Sequence, residues 1–333
     1  MLTPLLLSNA GFNRLQKPQD FIKPELATGK ILKRRLGGGQ GQIYYLYIPR
    51  STHKSTPLMV SIHGVSRNPK QHARMLSSMA EQYGVILLAP LFSKKQFPDY
   101  QRLGRLGRGP RADLALDRII GEVLYLTGAD TGPLYLSGYS GGGQFAHRYA
   151  MAHPERVAAV VIGAAGWYTF PDNKRCYPLG IASTKSLPSL RFDRTRFLRI
   201  PMTVIVGDKD NERDPELNKS PRIDRLQGLN RVERARNWID SMNQAAVSHD
   251  IAAHHRLIVL PGIGHSFKQG IELGAMNEKI FSSFFGAKNN VSEAEPSRVQ
   301  YSDLTCGSWM VPISAPSMNQ SGFGGLDHRP ARN

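Results

Sequence analysis

The sequence predicts an α/β fold with a mostly parallel central sheet and helices on both faces. Two observations lead to this prediction. From residue 43 onward, short apolar runs alternate with segments of helical periodicity, which is the order of a parallel sheet whose strands are joined by helices. The runs are apolar at nearly every position, as is typical of strands that are covered on both faces.

The predicted strands are bounded by residues that end extended structure. Pro49 ends the first strand, and the third strand follows Gly84 and ends at Pro90. Proline has no amide hydrogen to donate within a sheet, and glycine favours turns. The seven predicted strands are 43–48, 58–62, 85–89, 134–137, 157–162, 202–206 and 257–260.

Five segments between the strands have helical periodicity. The clearest is 229–246, whose apolar residues recur every three or four positions and so form one stripe that faces a core. Trp238 belongs to this stripe, and we expect it in the core. The predicted helices are 70–82, 111–127, 142–152, 229–246 and 271–285.

The patterned region is predicted to form one α/β domain that covers residues 41–287, because α/β folds of roughly this size are commonly single units. Residues 1–40 show no sustained pattern and are interpreted as an N-terminal extension. Residues 288–333, with scattered Asn, Ser, Gly and Pro, are interpreted as a flexible C-terminal tail. Residues 166–200 are too long for a plain connection and are interpreted as an insertion or a lid.

The composition favours a folded protein, since 41% of the 333 residues are hydrophobic and 21% are charged. The two cysteines, Cys176 and Cys306, do not indicate a disulfide framework. The apolar start lacks a basic region and is interrupted by Pro4, and no apolar run is long enough to cross a bilayer. We therefore expect a cytoplasmic protein without a membrane partner.

The net charge of +17 raises the hypothesis of nucleic-acid binding, because a basic surface attracts polyanions. The densest basic stretch is 102–111. It contains no aromatic residues on which bases could stack, and it belongs to no recognisable nucleic-acid module. Solvated surface charge is the preferred interpretation.

The motif Gly138-Tyr139-Ser140-Gly141-Gly142 follows a predicted strand and precedes a predicted helix. Glycines on both sides of a serine allow the strained turn that exposes a nucleophilic hydroxyl. A phosphate-binding turn at a helix N-terminus is the alternative. The nucleophile is preferred, because a phosphate loop needs no histidine and carboxylate after later strands.

A serine nucleophile needs a base and an acid that orients the base. Asp210 follows the strand 202–206, and His265 lies in a glycine-containing loop after the strand 257–260. Ser140, Asp210 and His265 follow the chain order that is typical of the fold. Asp208 is assigned to stabilising the turn.

The oxyanion hole is predicted to use the amide of Gly141, at the start of a helix, and the amide of Val65, in the His63-Gly64-Val65 loop. His63 is expected to support that loop. His147, His254 and His255 are interpreted as surface or hydrogen-bonded polar positions.

These segments resemble the α/β-hydrolase superfamily over residues 40–287. The Tyr-rich strand 44–49, the His63-Gly64 loop and Gly138-Tyr139-Ser140 resemble the esterase branch that includes polyhydroxybutyrate-depolymerase-like and feruloyl-esterase-like proteins. The resemblance implies an α/β-hydrolase fold in which the insertion or lid follows the sixth strand.

The residues and the resemblance together predict a serine hydrolase, more specifically a carboxylesterase, that acts on a small-molecule acyl ester through an acyl-enzyme. No cofactor is expected, and no His or Cys cluster indicates a metal. Tyr139, Trp167, Tyr168 and Phe170 are candidates for the substrate pocket, although the insertion aromatics are equally well explained as packing residues. A catalytically silent binding module of the same fold is the alternative function, and the oligomeric state is not predicted.

Overall fold

The structure, a computed structural model, describes residues 26–37, 41–129, 132–252 and 255–286. The described residues form eight strands and eight α-helices. The strands are β1 (Ile31–Arg35), β2 (Ile43–Tyr47), β3 (Leu58–Ile62), β4 (Ile86–Pro90), β5 (Leu134–Tyr139), β6 (Val157–Gly163), β7 (Met202–Gly207) and β8 (Arg256–Leu260). The helices are α1 (Pro69–Gln82), α2 (Ala112–Thr127), α3 (Gly141–Ala152), α4 (Arg194–Leu198), α5 (Pro221–Gln227), α6 (Arg231–Val247), α7 (Phe267–Glu272) and α8 (Met276–Phe285).

All eight strands belong to one sheet with the order β1-β2-β4-β3-β5-β6-β7-β8. The six strands from β3 to β8 are parallel, and near one edge β2 runs antiparallel to both of its neighbours, β1 and β4. The prediction of a mostly parallel sheet is therefore confirmed. Strands β3, β4 and β7 are buried at every position, which explains their continuous apolar sequences.

The predicted boundary at residue 41 is too late, because β1 lies within the segment interpreted as an N-terminal extension and pairs with β2 along its whole length. Three of its five residues are basic, so the strand carries little apolar signal. An edge strand tolerates such charges because one side of it has no neighbour. The rest of the predicted extension that lies within 1–25, and the predicted tail 288–333, lie outside the described residues.

Helices cover both faces of the sheet. Helices α1 and α8 pack together through Tyr83 and Phe281, whose rings are 5.5 Å apart. Helices α3 and α6 meet on the other face, where the rings of His147 and Trp238 are 5.5 Å apart. Trp238 is fully buried, as predicted. None of the helices in the described ranges is long and apolar enough to cross a membrane.

The predicted helix 271–285 is two helices, α7 and α8, separated by Leu273, Gly274 and Ala275. Ala275 has a φ of +49°, and a side chain at Gly274 would place its Cβ 2.8 Å from the carbonyl oxygen of Gly270. The chain thus turns sharply inside a segment for which the sequence predicts a single helix.

The insertion after β6 is irregular except for α4, and its first residues are fixed to the helices below. The Thr169 amide donates to Nε2 of His147 at 3.0 Å, and Nε1 of Trp238 donates to the Thr169 carbonyl at 2.8 Å. The Tyr168 amide and carbonyl both bond the side chain of Gln227. The start of the insertion is therefore part of the core packing.

Candidate active site

Ser140 occupies the turn between β5 and α3. Its backbone has a φ of +54° and a ψ of −115°, a conformation that residues other than glycine rarely adopt. The Ser140 amide donates to the Gly163 carbonyl at 2.7 Å, and the Gln144 amide donates to the Ser140 carbonyl at 3.1 Å. These bonds hold the strained turn that presents the serine hydroxyl beyond the end of the strand.

The glycines beside Ser140 are required by close backbone packing. A Cβ at Gly138 would lie 2.2 Å from the carbonyl oxygen of Gly142, and a Cβ at Gly142 would lie 2.0 Å from the carbonyl oxygen of Ile62. Neither backbone oxygen can rotate away as a flexible side chain could. The tight turn therefore depends on glycine at both positions.

Asp210 lies in the turn after β7, where its amide donates to the Gly207 carbonyl at 3.1 Å. The carboxylate of Asp208, two residues earlier, accepts a hydrogen bond from the Gly262 amide at 2.7 Å. Gly262 belongs to the loop that carries His265. Asp208 thus joins the two loops and leaves Asp210 as the carboxylate that faces the histidine.

The three predicted side chains lie within hydrogen-bonding distance of one another in series. His265 Nδ1 is 2.7 Å from Oδ2 of Asp210, and His265 Nε2 is 3.0 Å from Oγ of Ser140. Asp210 is almost fully buried and Ser140 is buried. With the proton on Nδ1 donated to Asp210, Nε2 is free to accept the serine proton, which is the arrangement needed for nucleophilic catalysis.

Aromatic rings form the wall of the site beside His265. Tyr139 stacks on the imidazole with 5.3 Å between ring centroids, and Phe267 stacks on the ring of His72 at 3.9 Å. An open cleft of about 380 Å³ lies above Ser140, which is within the size range of small-molecule sites. The cleft is lined by Gly64, Val65, Ser66, Gln71, His72, Tyr139, Ser140, Glu216, His265, Ser266, Phe267 and Lys268.

The loop predicted to complete the oxyanion hole lies against the nucleophile. A Cβ at Gly64 would be 3.4 Å from Cβ of Ser140, and one at Gly141 would be 3.1 Å from Cγ1 of Val65. The first amides of α3 have no partner within the helix, since its first backbone bond is donated by the Gln144 amide. Both predicted donors are thus placed beside Ser140, and their role remains a prediction.

His63 supports the loop, as predicted. Its Nε2 accepts a hydrogen bond from the Phe92 amide at 3.0 Å, so Nδ1 carries the proton and donates to the Gly64 carbonyl at 2.8 Å. Burial lowers the pKa of His63 to about 4. The ring therefore stays neutral near neutral pH and holds Gly64 in place.

Two further histidines are also buried in the neutral form. Burial lowers the pKa of His72 to about 3 and holds that of His147 well below its usual value. A histidine whose folded-state pKa is lowered stabilises the fold above its unfolded pKa of about 6.5, and this contribution falls as the pH drops towards the folded pKa. These histidines and His63 therefore make the free energy of unfolding depend on pH.

We expect the free energy of unfolding to fall between pH 6 and pH 5 by about 1 kcal/mol for each of these three histidines. Carboxylates contribute little in this window because their unfolded pKa values lie lower. Urea denaturation at both pH values measures the fall. In His72→Gln the fall in the free energy of unfolding between the two pH values should be smaller by about 1 kcal/mol. A fall equal to that of the native protein would contradict the conclusion that His72 is buried in the neutral form.

The aromatic residues proposed for the substrate pocket separate into two groups. Tyr139 lines the cleft. Trp167, Tyr168 and Phe170 are absent from its lining, and the prediction that they form the pocket is not supported by their positions. Tyr168 is fully buried and stacks on Trp238 with 4.9 Å between ring centroids, because the insertion begins by packing onto α6.

Sequence reasoning missed two charged residues beside the site. Nη1 of Arg231 lies 3.2 Å from Oδ1 of Asp210, and the same guanidinium pairs with Asp214. Arg231 is the first residue of α6 and follows the helix-capping Asn230. An arginine at a helix start carries no local signal for a contact with a carboxylate 21 residues earlier. In the described part of the chain, no group of three His, Cys, Asp or Glu side chains could hold a metal ion.

The order of the sheet, the helices on its two faces and the serine turn after β5 define the class: the chain has the α/β-hydrolase fold. No family model matches the chain. Poly(aspartic acid) hydrolase-1 from Sphingomonas sp. KT-1 superposes with a TM-score of 0.66 and 23% identity over 77% of this chain and 100% of that one. This likeness concerns the fold alone.

Two further relatives have names that point to esterases. A poly(3-hydroxybutyrate) depolymerase from Bordetella parapertussis superposes with a TM-score of 0.64 and 26% identity, over 79% of this chain and 91% of that one. Feruloyl esterase B of Talaromyces funiculosus is 26% identical over 139 residues. That match spans 40% of this chain and only 39% of the esterase. The chain therefore resembles the esterase branch of the α/β-hydrolases that its sequence suggested.

Proposed function

We propose that the protein is a serine hydrolase that cleaves carboxylic esters through an acyl-enzyme on Ser140. The observation that carries the proposal is the series of two hydrogen bonds, of 2.7 and 3.0 Å, that joins Asp210, His265 and Ser140. A serine hydroxyl is a poor nucleophile unless a base takes its proton during attack. In this proposal His265 is that base, and Asp210 orients it.

In the proposed reaction, Oγ of Ser140 attacks the ester carbonyl while its proton passes to Nε2 of His265. Asp210 stabilises the imidazolium that forms. The tetrahedral intermediate expels the alcohol, which takes its proton from His265, and the acyl group remains on Ser140. Water then attacks the acyl-enzyme as His265 takes a proton from it, and His265 returns this proton to Oγ of Ser140 as the carboxylic acid leaves.

Negative charge develops on the carbonyl oxygen in both halves of the reaction. The amides of Gly141 and Val65 are the proposed donors to this oxygen, and α3 begins at Gly141, so the positive end of its dipole favours the same charge. One donor of this kind contributes about 3 kcal/mol of transition-state stabilisation. Val65 lines the cleft, and it follows Gly64, which packs against Ser140.

The choice of an ester rests on the relatives. The names of the two proteins at 26% identity are those of a poly(3-hydroxybutyrate) depolymerase and a feruloyl esterase, and both substrates contain carboxylic esters. The cleft of about 380 Å³ suits a small ester or the end of a longer one. A catalytically silent binding module is the alternative, and it gives no reason for a buried carboxylate, a histidine and a strained serine to be aligned.

A fluorophosphonate probe tests the proposal, because it phosphonylates an activated serine and spares ordinary ones. We expect the purified protein to be labelled, and Ser140→Ala to remain unlabelled with an unchanged melting temperature. Ser137→Ala is the matched control, since Ser137 lies in β5, the strand that Ser140 follows, and is buried. Labelling that persists in Ser140→Ala would refute the assignment, and an unlabelled native protein without esterase activity would favour the silent module.

A further inference from the structure

Both oxygens of the Asp210 carboxylate have a partner. Oδ2 accepts the hydrogen bond of His265, and Oδ1 lies 3.2 Å from Nη1 of Arg231. Asp210 and Arg231 are both almost completely buried, with 2% and 1% of their side chains exposed. Water is thus largely excluded from this contact, and an ion pair that is excluded from water is screened far less than one at the surface.

A second carboxylate fixes the position of Arg231. Asp214 accepts hydrogen bonds from both terminal nitrogens of the guanidinium, with Nη2 at 3.0 Å from Oδ1. The hydrogen bond from Arg231 holds the pKa of Asp214 well below its usual range. Burial lowers the pKa of Arg231, but its bonds and charge interactions with Asp214 and Asp210 outweigh burial and raise it. Asp214 and Arg231 are therefore both charged near neutral pH.

The charges alternate in sign from Asp214 through Arg231 to Asp210. Asp214 is negative, Arg231 is positive and Asp210 is negative, so the set carries one net negative charge next to the imidazole. Asp214 also interacts electrostatically with His265. The other titratable groups that face His265 come from the elements around the cleft and are Tyr139 at the end of β5, His72 in α1, Glu216 after β7 and Lys268 in α7.

We propose that Arg231 and Asp214 are positioning residues that hold Asp210 against His265 and set the pH at which His265 becomes a working base. The inference rests on the proposed function, since it concerns the same triad. Asp214 acts through Arg231, and Arg231 acts through Asp210. Neither residue touches the reacting atoms.

The two residues act on the imidazolium with opposite signs. Removing the positive charge of Arg231 leaves two carboxylates near His265, which favours the protonated ring, so activity should appear only at higher pH. Removing the negative charge of Asp214 leaves Arg231 opposed by Asp210 alone, which disfavours the protonated ring, so activity should extend to lower pH. The gain or loss of a nearby charge typically shifts a titration by about one pH unit.

The test is the pH profile of kcat/KM for a neutral nitrophenyl ester in the full-length protein. In Arg231→Gln we expect the acid limb to move up by about 0.5–1 pH unit, and in Asp214→Asn to move down by a similar amount. Arg231→Gln should also lower kcat by about ten- to a hundredfold, because Asp210 loses the contact that orients it. Arg231→Lys should restore the acid limb but not kcat, since lysine supplies the charge without the planar fork.

Asp224→Asn is the matched control. Asp224 pairs with Arg234, which is also buried and lies one turn further along α6, but neither residue contacts Asp210. This control should lower the melting temperature and leave the acid limb in place. A merely structural role for Arg231 and Asp214 would give the same result for all the variants.

The outcomes separate the two proposals. If the native protein hydrolyses the ester while the Arg231 and Asp214 variants show no shift, or shifts of the same sign, the inference fails and the proposed function stands. If Arg231→Gln does not fold, Asp214→Asn decides, and an unmoved acid limb in that variant overturns the inference. If the native protein is neither labelled by fluorophosphonate nor active on esters, both proposals fall.

Discussion

Replacing His265 by alanine should lower kcat/KM for a nitrophenyl ester by about 10⁴- to 10⁶-fold. The imidazole is the only group within hydrogen-bonding distance of Oγ of Ser140 in the described part of the chain, so its removal leaves the serine without a base. The melting temperature should change little, because His265 is partly exposed. Steady-state hydrolysis and thermal denaturation measure both effects.

The chain offers a matched control for this variant. His153 lies at the opposite end of α3 from Ser140, and its Nε2 is 2.8 Å from Oδ2 of Asp113. It therefore forms a histidine–aspartate pair of nearly the same length as the pair at the site, without the serine. His153→Ala should hydrolyse the ester at the native rate. Equal losses in both variants would mean that His265 supports the structure and does not act as the base.

The second large effect is expected at Gly142, and it concerns stability. A methyl group there would meet the carbonyl oxygens of Ile62 and His63 at 2.0 and 2.6 Å. Because these are backbone atoms at the end of β3, the clash can be relieved only by moving α3 away from the sheet. We expect Gly142→Ala to lower the free energy of unfolding by about 3 kcal/mol or more and to abolish esterase activity, as measured by urea denaturation and hydrolysis.

Gly121 provides the comparison, since it is an exposed helix glycine whose added Cβ would have no neighbour within 4 Å. Gly121→Ala should raise the free energy of unfolding by about 0.5–1 kcal/mol, because alanine loses less conformational freedom in a helix. Activity should not change. A Gly142→Ala protein as stable as the native one would show that the serine turn does not require glycine at this position.

Several features of the fold could be predicted because they are encoded locally. The parallel strands appear as short apolar runs, and the structure places each of the seven predicted strands within two residues of its expected bounds. Strand β1 was not predicted, because three of its five residues are basic and it therefore lacks an apolar pattern. The break between α7 and α8 was not predicted, because nothing in the sequence indicates that Ala275 adopts a left-handed backbone conformation.

Some residues of the site could likewise be predicted from local sequence, and others could not. Ser140, Asp210 and His265 each follow a strand, and parallel strands bring such residues to one edge of the sheet, so local pattern and chain order were enough to propose them together. The lining of the cleft, in contrast, is not determined by local sequence, because it comes from several separate segments of the chain. Tyr168 and Trp167 are aromatic, as pocket residues often are, but both are buried. Tyr168 stacks on Trp238 of α6, and the guanidinium groups of Arg102 and Arg148 lie over the ring of Trp167.

The sequence by itself therefore determined the class of fold, the serine turn and the three residues proposed for acyl transfer, because each depends on periodicity or on turn chemistry within a few residues. Only the tertiary structure decided that Arg231 contacts both Asp210 and Asp214, that Asp208 joins two loops, and which side chains line the cleft. These contacts join residues that are far apart in the chain or that have no periodic pattern. They exist only once the strands and helices have packed.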